Sequence, residues 1–428
     1  MTGATTRFAG IAARRAAGGK GGIVSICSAH PLVIEATLRH GATHGADVLI
    51  EATCNQVNHE GGYTGMTPAA FRSFVETHAV RTGFPLDRLI LGGDHLGPNP
   101  WKHLPAAEAM KKASVMIDAY ASAGFTKLHL DTSMACTDDP VALADDTIAA
   151  RAADLAAVAE AAVVRAGGEK PVYIIGTEVP VPGGALEALD HMHVTEPANA
   201  LRTVEVHRRA FSRLGLDAAF ARAVGVVVQP GVEFGNADII AYAPQMATKL
   251  VASLESMPQF VFEAHSTDYQ PAEALGMLVR DGFAILKVGP WLTFALREAL
   301  YGLSHIADEL TPDPSRESLP AAMERVMLAS PGNWQKYYSG TPDEQRLQRH
   351  FSFSDRIRYY WPSPDAQHAA EALLAALGDR KIPRPLVSQY IGHLDAEVGV
   401  GRIRPTAREL LIGSVMRVLD IYRGATNP

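Results

Sequence analysis

Eight short apolar or β-branched runs, each followed by a stretch long enough for a crossover helix, constrain this 428-residue chain more than any other feature. They fall at residues 23–27, 48–51, 89–92, 127–130, 172–175, 224–228, 260–263 and 284–288. The runs are continuously apolar instead of alternating, so each predicts a strand buried on both faces, as parallel strands sandwiched by helices are. Eight such units predict an α/β chain closed into a (β/α)8 TIM barrel. The competing architecture is an open Rossmann-like sheet with a helical domain behind it. It lacks its usual chemistry here: no GxGxxG follows the first run, and no acidic residue stands where a nucleotide ribose needs one.

Beyond residue 310 the pattern changes. The segment TPDPSRESLP divides a barrel at 1–310 from a mostly helical extension at 311–428, which covers the barrel or packs against it. Within the extension 320–329 and 366–377 are helix candidates; Pro320 suits a first helical turn and Gly378 a stop. NWQKYYSG and SFSDRIRYYW are dense in aromatic and basic residues. They either pin the extension to the barrel wall or cover the mouth and bring Lys336, Arg356 or Arg358 to an anionic substrate. Ahead of the first run, 7–17 reads as a helix broken by Gly18 and Gly19, too polar for a secretory signal. No later segment approaches an apolar membrane span, so a cytoplasmic protein without membrane contact is expected.

Composition narrows the function. Lys and Arg total 39 against 46 Asp and Glu, a net charge of -7, which leaves no nucleic-acid footprint. Cys27, Cys54 and Cys136 are the only thiols and form no CxxC pair, which speaks against a disulfide scaffold or a thiolate zinc knuckle. There is no Walker loop, GxSxG elbow, HExxH helix or kinase signature, so phosphoryl transfer from ATP is unsupported.

In a barrel, polar residues at the C-terminal ends of the strands share one mouth however far apart they lie in sequence. LGGDHLGPNPW puts Asp94 and His95 directly after the third run, with two glycines that let backbone approach a ligand; His95 reads as a metal ligand, a base or a structural imidazole. FEAHSTDY supplies Glu263, His265 and Ser266, and QPGVEFG supplies Gln229 and Glu233. Two histidines with an oxygen ligand, His95, His265 and Glu233, make a mononuclear site with open positions. Glu178 in IGTEVPVPGG is a ligand, a general acid/base or a loop residue. Glu51, Asn55 and Gln56 open a long polar loop whose amides suit sugar hydroxyls. His129 in LHLD points to the mouth or away from it depending on register, and Asp131 with Ser133 holds hydroxyls or caps a helix. Lys287 in ILKVGPW reads as a phosphate or hydroxyl contact, a structural ion pair or a Schiff-base amine.

These stretches, with GIVSICSAHPLVIEA, LIEATCNQVNHEGGYTGMTP, HLDTSM and NWQKYYSG, run in order along nearly the whole chain. The chain resembles the family of non-catalytic subunits of class II tagatose-bisphosphate aldolase, sometimes labelled tagatose-6-phosphate kinase. The resemblance implies a class II aldolase-like barrel in galactitol or tagatose catabolism, with some members similar to metal-dependent ketose 4-epimerases. Catalytic class II aldolases use an Asp-His pair as base and zinc ligand, which matches Asp94 and His95, and a later ligand histidine that matches His265. Where they place another histidine after strand six, this chain has Gln229 and Glu233, so simple aldolase activity is not implied.

The expected activity is 4-epimerisation of tagatose 6-phosphate to fructose 6-phosphate by retro-aldol and aldol steps on a divalent metal, Zn2+ or Mn2+, with Asp94 and Glu178 catalytic. Glu51, Asn55, Gln56, Asp131, Ser266 and Lys287 are the expected substrate contacts. An accessory subunit stabilising a separate class II aldolase catalytic subunit is the alternative, and a hexuronate epimerase the next. A homo-oligomer is compatible with each.

Overall fold

Seven of the eight strand-forming runs are followed by a helix with a proline at its N-cap or in its first turn, and the fold follows that punctuation. The computed structural model describes residues 3–179 and 193–427. Ten strands are present among them: β1 (Ile23–Ile26), β2 (Val48–Thr53), β3 (Leu89–Leu96), β4 (Lys127–Leu130), β5 (Val172–Ile175), β6 (Ala223–Val228), β7 (Glu233–Phe234), β8 (Ile239–Ile240), β9 (Val261–Ala264) and β10 (Ile285–Val288). Eight of them close a parallel barrel in the order β1-β10-β9-β6-β5-β4-β3-β2, while β7 and β8 form a small antiparallel hairpin above it. The TIM barrel predicted from the eight runs is therefore present, with ends shifted by a residue or two and β3 running four residues further than its apolar core.

The barrel region carries α1 (Ala4–Ala16), α2 (Pro31–His44), α3 (Pro68–Thr82), α4 (Ala106–Ser122), α5 (Asp145–Ala166), α6 (Pro197–Arg213), α7 (Asp217–Phe220), α8 (Pro244–Ser253), α9 (Ala272–Arg280) and α10 (Pro290–Leu310). Prolines occupy the first turns of α2, α3, α6, α8 and α10, where a missing N–H costs nothing. Gly45, Gly83 and Gly167 end α2, α3 and α5 in the left-handed conformation that residues with a Cβ resist. Helix α1 lies under the barrel, where Phe8, Ile11 and Ala12 meet Leu49, Ile90, Val261 and Ile285 in an apolar plug.

The helical extension comprises α11 (Leu319–Ala329), α12 (Pro342–Phe351), α13 (Pro364–Leu377), α14 (Arg384–Tyr390), α15 (Asp395–Gly399) and α16 (Ala407–Thr426), with a 3-10 turn at Arg356–Tyr360. Its last helix returns to the barrel: α16 packs on α2, α9, α10 and β1. The buried Glu35 of α2 takes ion pairs from Arg81 of α3 and Arg408 of α16, and Arg39 grips Glu409 through two hydrogen bonds at 3.0 and 2.7 Å. Tyr422 of α16 donates its hydroxyl to the Thr267 carbonyl beside the barrel mouth at 2.7 Å.

Candidate active site

Inward-facing residues come two apart along a strand, and on four barrel strands the upper inward positions are charged. Lys127 of β4, fully buried, lies 2.5 Å from Glu51 of β2 and 2.7 Å from Glu263 of β9. Lys287 of β10 pairs with Glu51, with Asp94 at 2.7 Å and with Glu263 at 3.5 Å. Gly92 makes room for this layer, since a Cβ there would sit 2.7 Å from the Glu51 side chain.

Above the charged layer stand three imidazoles. Asp94, His95, His129 and His265 bring one donor atom each to within 4.8 Å of one another, and all four are buried. Adjacent residues of a regular strand face opposite ways, so Asp94 and His95 need an irregularity to share the mouth. The β3–β4 register shifts between Gly93 and Leu96, and His95 has a positive φ of 50°, an unfavourable conformation for a residue with a Cβ. Ser266, next to His265, has φ 54°. Gly97 lets β3 press against β4, because a Cβ there would fall 1.6 Å from the Asp131 carbonyl oxygen.

Each imidazole has one nitrogen held by its own carboxylate. His95 Nδ1 meets Asp131 at 2.8 Å, His129 Nδ1 meets Asp94 at 2.9 Å, and His265 Nε2 meets Glu263 at 3.0 Å. Carboxylates behind imidazoles fix ring orientation and raise donor strength in metal sites. The second nitrogens stay available, and His129 Nε2 is buried with no hydrogen-bond partner among the described residues.

The charge balance points the same way. Glu51, Asp94, Asp131 and Glu263 stand against the ammoniums of Lys127 and Lys287 and the three imidazoles, so the two carboxylates in excess of the ammoniums accommodate a bound cation or a protonated His95. Donor types, second nitrogens and charge therefore all fit a bound divalent metal.

Proton affinities follow from these neighbours. Burial alone would raise the Asp94 carboxyl, but His95 and Lys287 outweigh it and hold it well below the ordinary range. Burial would likewise raise Asp131, yet its bond to His95 brings it down to about 2. Burial opposes charge on Lys287, but Asp94, Glu263 and Glu51 hold its ammonium well above the ordinary value, which removes the ground for a neutral Schiff-base amine. Burial pushes His265 down to about 3.

Other candidates take different places. Asn55, Gln56 and Ser266 line an inner cavity of about 80 Å³ with Asp94, His95, His265 and Lys287. Gln56 is partly committed, accepting from the Thr53 N–H at 2.9 Å and donating to the Cys27 carbonyl at 3.3 Å. Glu51 and Asp131 are occupied by the charged layer and by His95. Glu233 does not join the imidazole group: it rides on the β7–β8 hairpin, where its carboxylate accepts from the Phe234 N–H and from Ser266. Glu178 is exposed beyond β5 and bonded by Thr195 at 2.8 Å and Asn199 at 2.6 Å; the rest of its loop, 180–192, lies outside the described residues.

Sequence reasoning passed over Lys127 and left His129 undecided. The signal for both was the spacing Lys127, His129, Asp131, which puts three polar side chains on one face of β4 while Leu128 and Leu130 bury on the other. From the extension, Arg358 and Tyr359 reach the inner cavity, and Tyr359 meets Tyr63 of the β2–α3 loop with ring centres 4.8 Å apart. Lys336 is exposed beside Tyr337. Arg356 stacks on Tyr337 at 3.3 Å and bonds the Asn333 carbonyl. A larger outer cavity of about 540 Å³ shares Cys27, Gln56, Tyr63, Gly289 and Arg358 with the inner one.

The geometry has counterparts among known proteins. The profile of the family described as D-tagatose-1,6-bisphosphate aldolase subunit GatZ/KbaZ-like matches residues 8–427. A D-tagatose 6-phosphate 4-epimerase of Agrobacterium fabrum is 53% identical over 416 residues, which cover 97% of each chain. The crystal structure of a probable tagatose 6 phosphate kinase from Sinorhizobium meliloti 1021 superposes with a TM-score of 0.88 at 58% identity, over 94% of this chain and 100% of that one.

Proposed function

The chain belongs to the GatZ/KbaZ-like family of D-tagatose-1,6-bisphosphate aldolase subunits, and from that premise we propose that it is itself an enzyme, a metal-dependent 4-epimerase interconverting D-tagatose 6-phosphate and D-fructose 6-phosphate. The observation that carries this reading is the set of three imidazoles, each backed by its own carboxylate, one of which is the ionised Asp94. The 53% identity to the Agrobacterium epimerase supports the substrate.

A divalent cation held by His95, His129 and His265 would supply polarisation of the ketose C2 carbonyl. The nitrogen-rich donor set suits zinc, with manganese the alternative. Asp94 takes the proton of the C4 hydroxyl. The C3–C4 bond then breaks: its electron pair passes to C3 and C2 as the enediolate of dihydroxyacetone, and C4 becomes the aldehyde of glyceraldehyde phosphate. Lys287, cationic and 2.7 Å from Asp94, steadies negative charge at that end of the site. The aldehyde turns, C3 re-adds to its other face, and Asp94 returns the proton to the C4 oxygen. Direct loss of the C4 proton is a poorer route, because C4 is not adjacent to the carbonyl and its carbanion has no resonance outlet. Asn55, Gln56 and Ser266 line the cavity where they can bind hydroxyls. Glu51 and Asp131 act on Lys287 and His95 without touching sugar.

The family's description supports a second reading, an accessory subunit that stabilises a separate class II aldolase. The three free thiols fit a cytoplasmic setting for either. Proton NMR of the purified, metal-loaded chain with tagatose 6-phosphate decides between them. Fructose 6-phosphate is expected with no second protein present, and EDTA is expected to stop it. No conversion at verified metal occupancy would leave the accessory reading standing.

A further inference from the structure

We propose that Arg358, carried by the helical extension, anchors the phosphate of the substrate and so sets the preference for a phosphorylated over a free sugar. The sugar's identity rests on the epimerase reading; the anion site rests on the geometry alone.

Arg358 lines both cavities, the inner one together with Asp94, His95 and His265. Its guanidinium donates to the carbonyl oxygens of Ser354 and Asp355 and to the Tyr359 hydroxyl at 3.1 Å. Among the described residues no carboxylate lies within 4.0 Å of it. The acidic residue nearest in sequence, Asp355, is committed to the Thr293 hydroxyl at 2.5 Å and faces Arg297 at 3.6 Å. Asp268, on the wall of the same cavity, accepts the N–H groups of Gly289 and Trp291. Arg358 is thus a sheltered guanidinium bonded to neutral acceptors, within electrostatic reach of Asp268 and Asp355 but in ion-pair contact with neither, and it faces a cavity where an anion can bond it directly.

The phenol of Tyr359 reports the same excess of positive potential. Burial would raise it, yet Arg358 and Arg356 bring it below its ordinary value. The inner end of the cavity differs, because its charged residues Asp94 and Lys287 are already paired with each other. With the inner end taken up by its own ion pairs and the imidazole donor set, a dianionic phosphate is drawn to Arg358, which orients the ketose with its carbonyl toward the imidazoles and C6 toward the extension. Cleavage between C3 and C4 adds a reason for such an anchor. Glyceraldehyde phosphate becomes a separate fragment whose aldehyde carbon must turn, and its phosphate is the one charged group by which the protein can hold it meanwhile.

A sugar acid's carboxylate would use the same guanidinium, so the test has separate arms. Wild type, Arg358→Ala and Arg358→Lys are assayed on tagatose 6-phosphate, tagatose and tagaturonate, and inorganic phosphate is titrated into each by calorimetry. For Arg358→Ala we expect KM for tagatose 6-phosphate to rise about 100-fold, as loss of charge-assisted bonds predicts. We expect a smaller change in kcat, unchanged kcat/KM on tagatose, unchanged metal content and loss of phosphate binding. Arg358→Lys keeps the charge and should recover part of the affinity, which also covers the case in which the alanine variant fails to fold. Phosphate affinity and KM both within twofold of wild type in either variant overturn the proposal, as does an Arg358-dependent preference for tagaturonate over tagatose 6-phosphate. If wild type turns over no sugar yet binds phosphate through Arg358, the anion site stands and the epimerase reading falls.

Discussion

The two ends of the barrel interior are built from the same strands and behave as different materials. On β2 the inward positions run from Leu49 to Glu51, on β9 from Val261 to Glu263, and on β10 from Ile285 to Lys287. At the base these side chains join Phe8 and Ile11 of α1 in a dry apolar plug, where each fully buried aliphatic contributes about 1.5 to 3 kcal/mol. One step up each of these three strands the same inward direction carries a charge that must find a partner or pay for desolvation. The base needs only volume, while the mouth needs particular atoms at particular distances. The lesson is that position along a strand, more than its composition, decides whether an inward residue serves stability or chemistry.

Substitutions at each end can break that division. The largest effect is expected at Asp94→Asn, which keeps the shape but removes the proton acceptor. Its kcat should fall about 10³-fold or more with metal retained, as measured by NMR turnover and metal analysis. His265→Ala should lose turnover and metal together; full occupancy in that variant would remove His265 from the donor set. Next comes Lys127→Met, which removes one of the two ammoniums that Glu51 and Glu263 share and leaves Lys287 alone between them. Urea unfolding should show a loss of about 3 to 5 kcal/mol, the cost of breaking a buried ion pair. Phe8→Ala at the base should cost about 3 to 4 kcal/mol through its cavity and leave turnover per folded molecule unchanged. A tenfold fall in kcat for Phe8→Ala would mean that the ends are coupled and the division is false.

Those residues also show what was legible without coordinates. The eight strands could be read because burial on both faces writes a continuous apolar run, and Asp94, His95 and His265 because they stand just past such runs. His129 could not be placed, since a one-residue slip in register turns a strand's side chains to the other face, and only pairing with β3 and β5 fixes it. Lys127 was hidden for a related reason: a lysine at the start of a strand looks like an exposed edge until two carboxylates from distant strands are seen around it. The helix α16 carries its own signal in Leu410, Leu411, Val415, Val418 and Tyr422, all buried. Its return to α2 and β1 is a tertiary fact that no local spacing expresses. Arg358 was legible as one of three basic candidates, and only the packing of the extension over the mouth separates it from Lys336 and Arg356.

Glu233 gives the smallest effect and the sharpest discrimination, because it is a mouth residue whose surroundings resemble the base. Burial pushes its carboxyl up to about 7, against the opposing pull of the Phe234 N–H and Ser266. A carboxyl raised in the folded state binds its proton more tightly there than in the unfolded chain. The resulting stabilisation is complete below about pH 4.5 and is lost as pH rises through about 7. Glu233→Gln carries no charge at any of these pH values. Its stability relative to wild type should therefore improve from pH 4.5 to pH 8, by at most about 3 kcal/mol. Urea unfolding of the metal-free proteins at the two ends of that range measures the difference, and a flat difference would mean that Glu233 is solvated in the folded state. Metal content gives the second readout. Placed apart from the imidazoles, Glu233 should be dispensable for it, so a Gln variant that loses metal would return Glu233 to the donor set in place of His129.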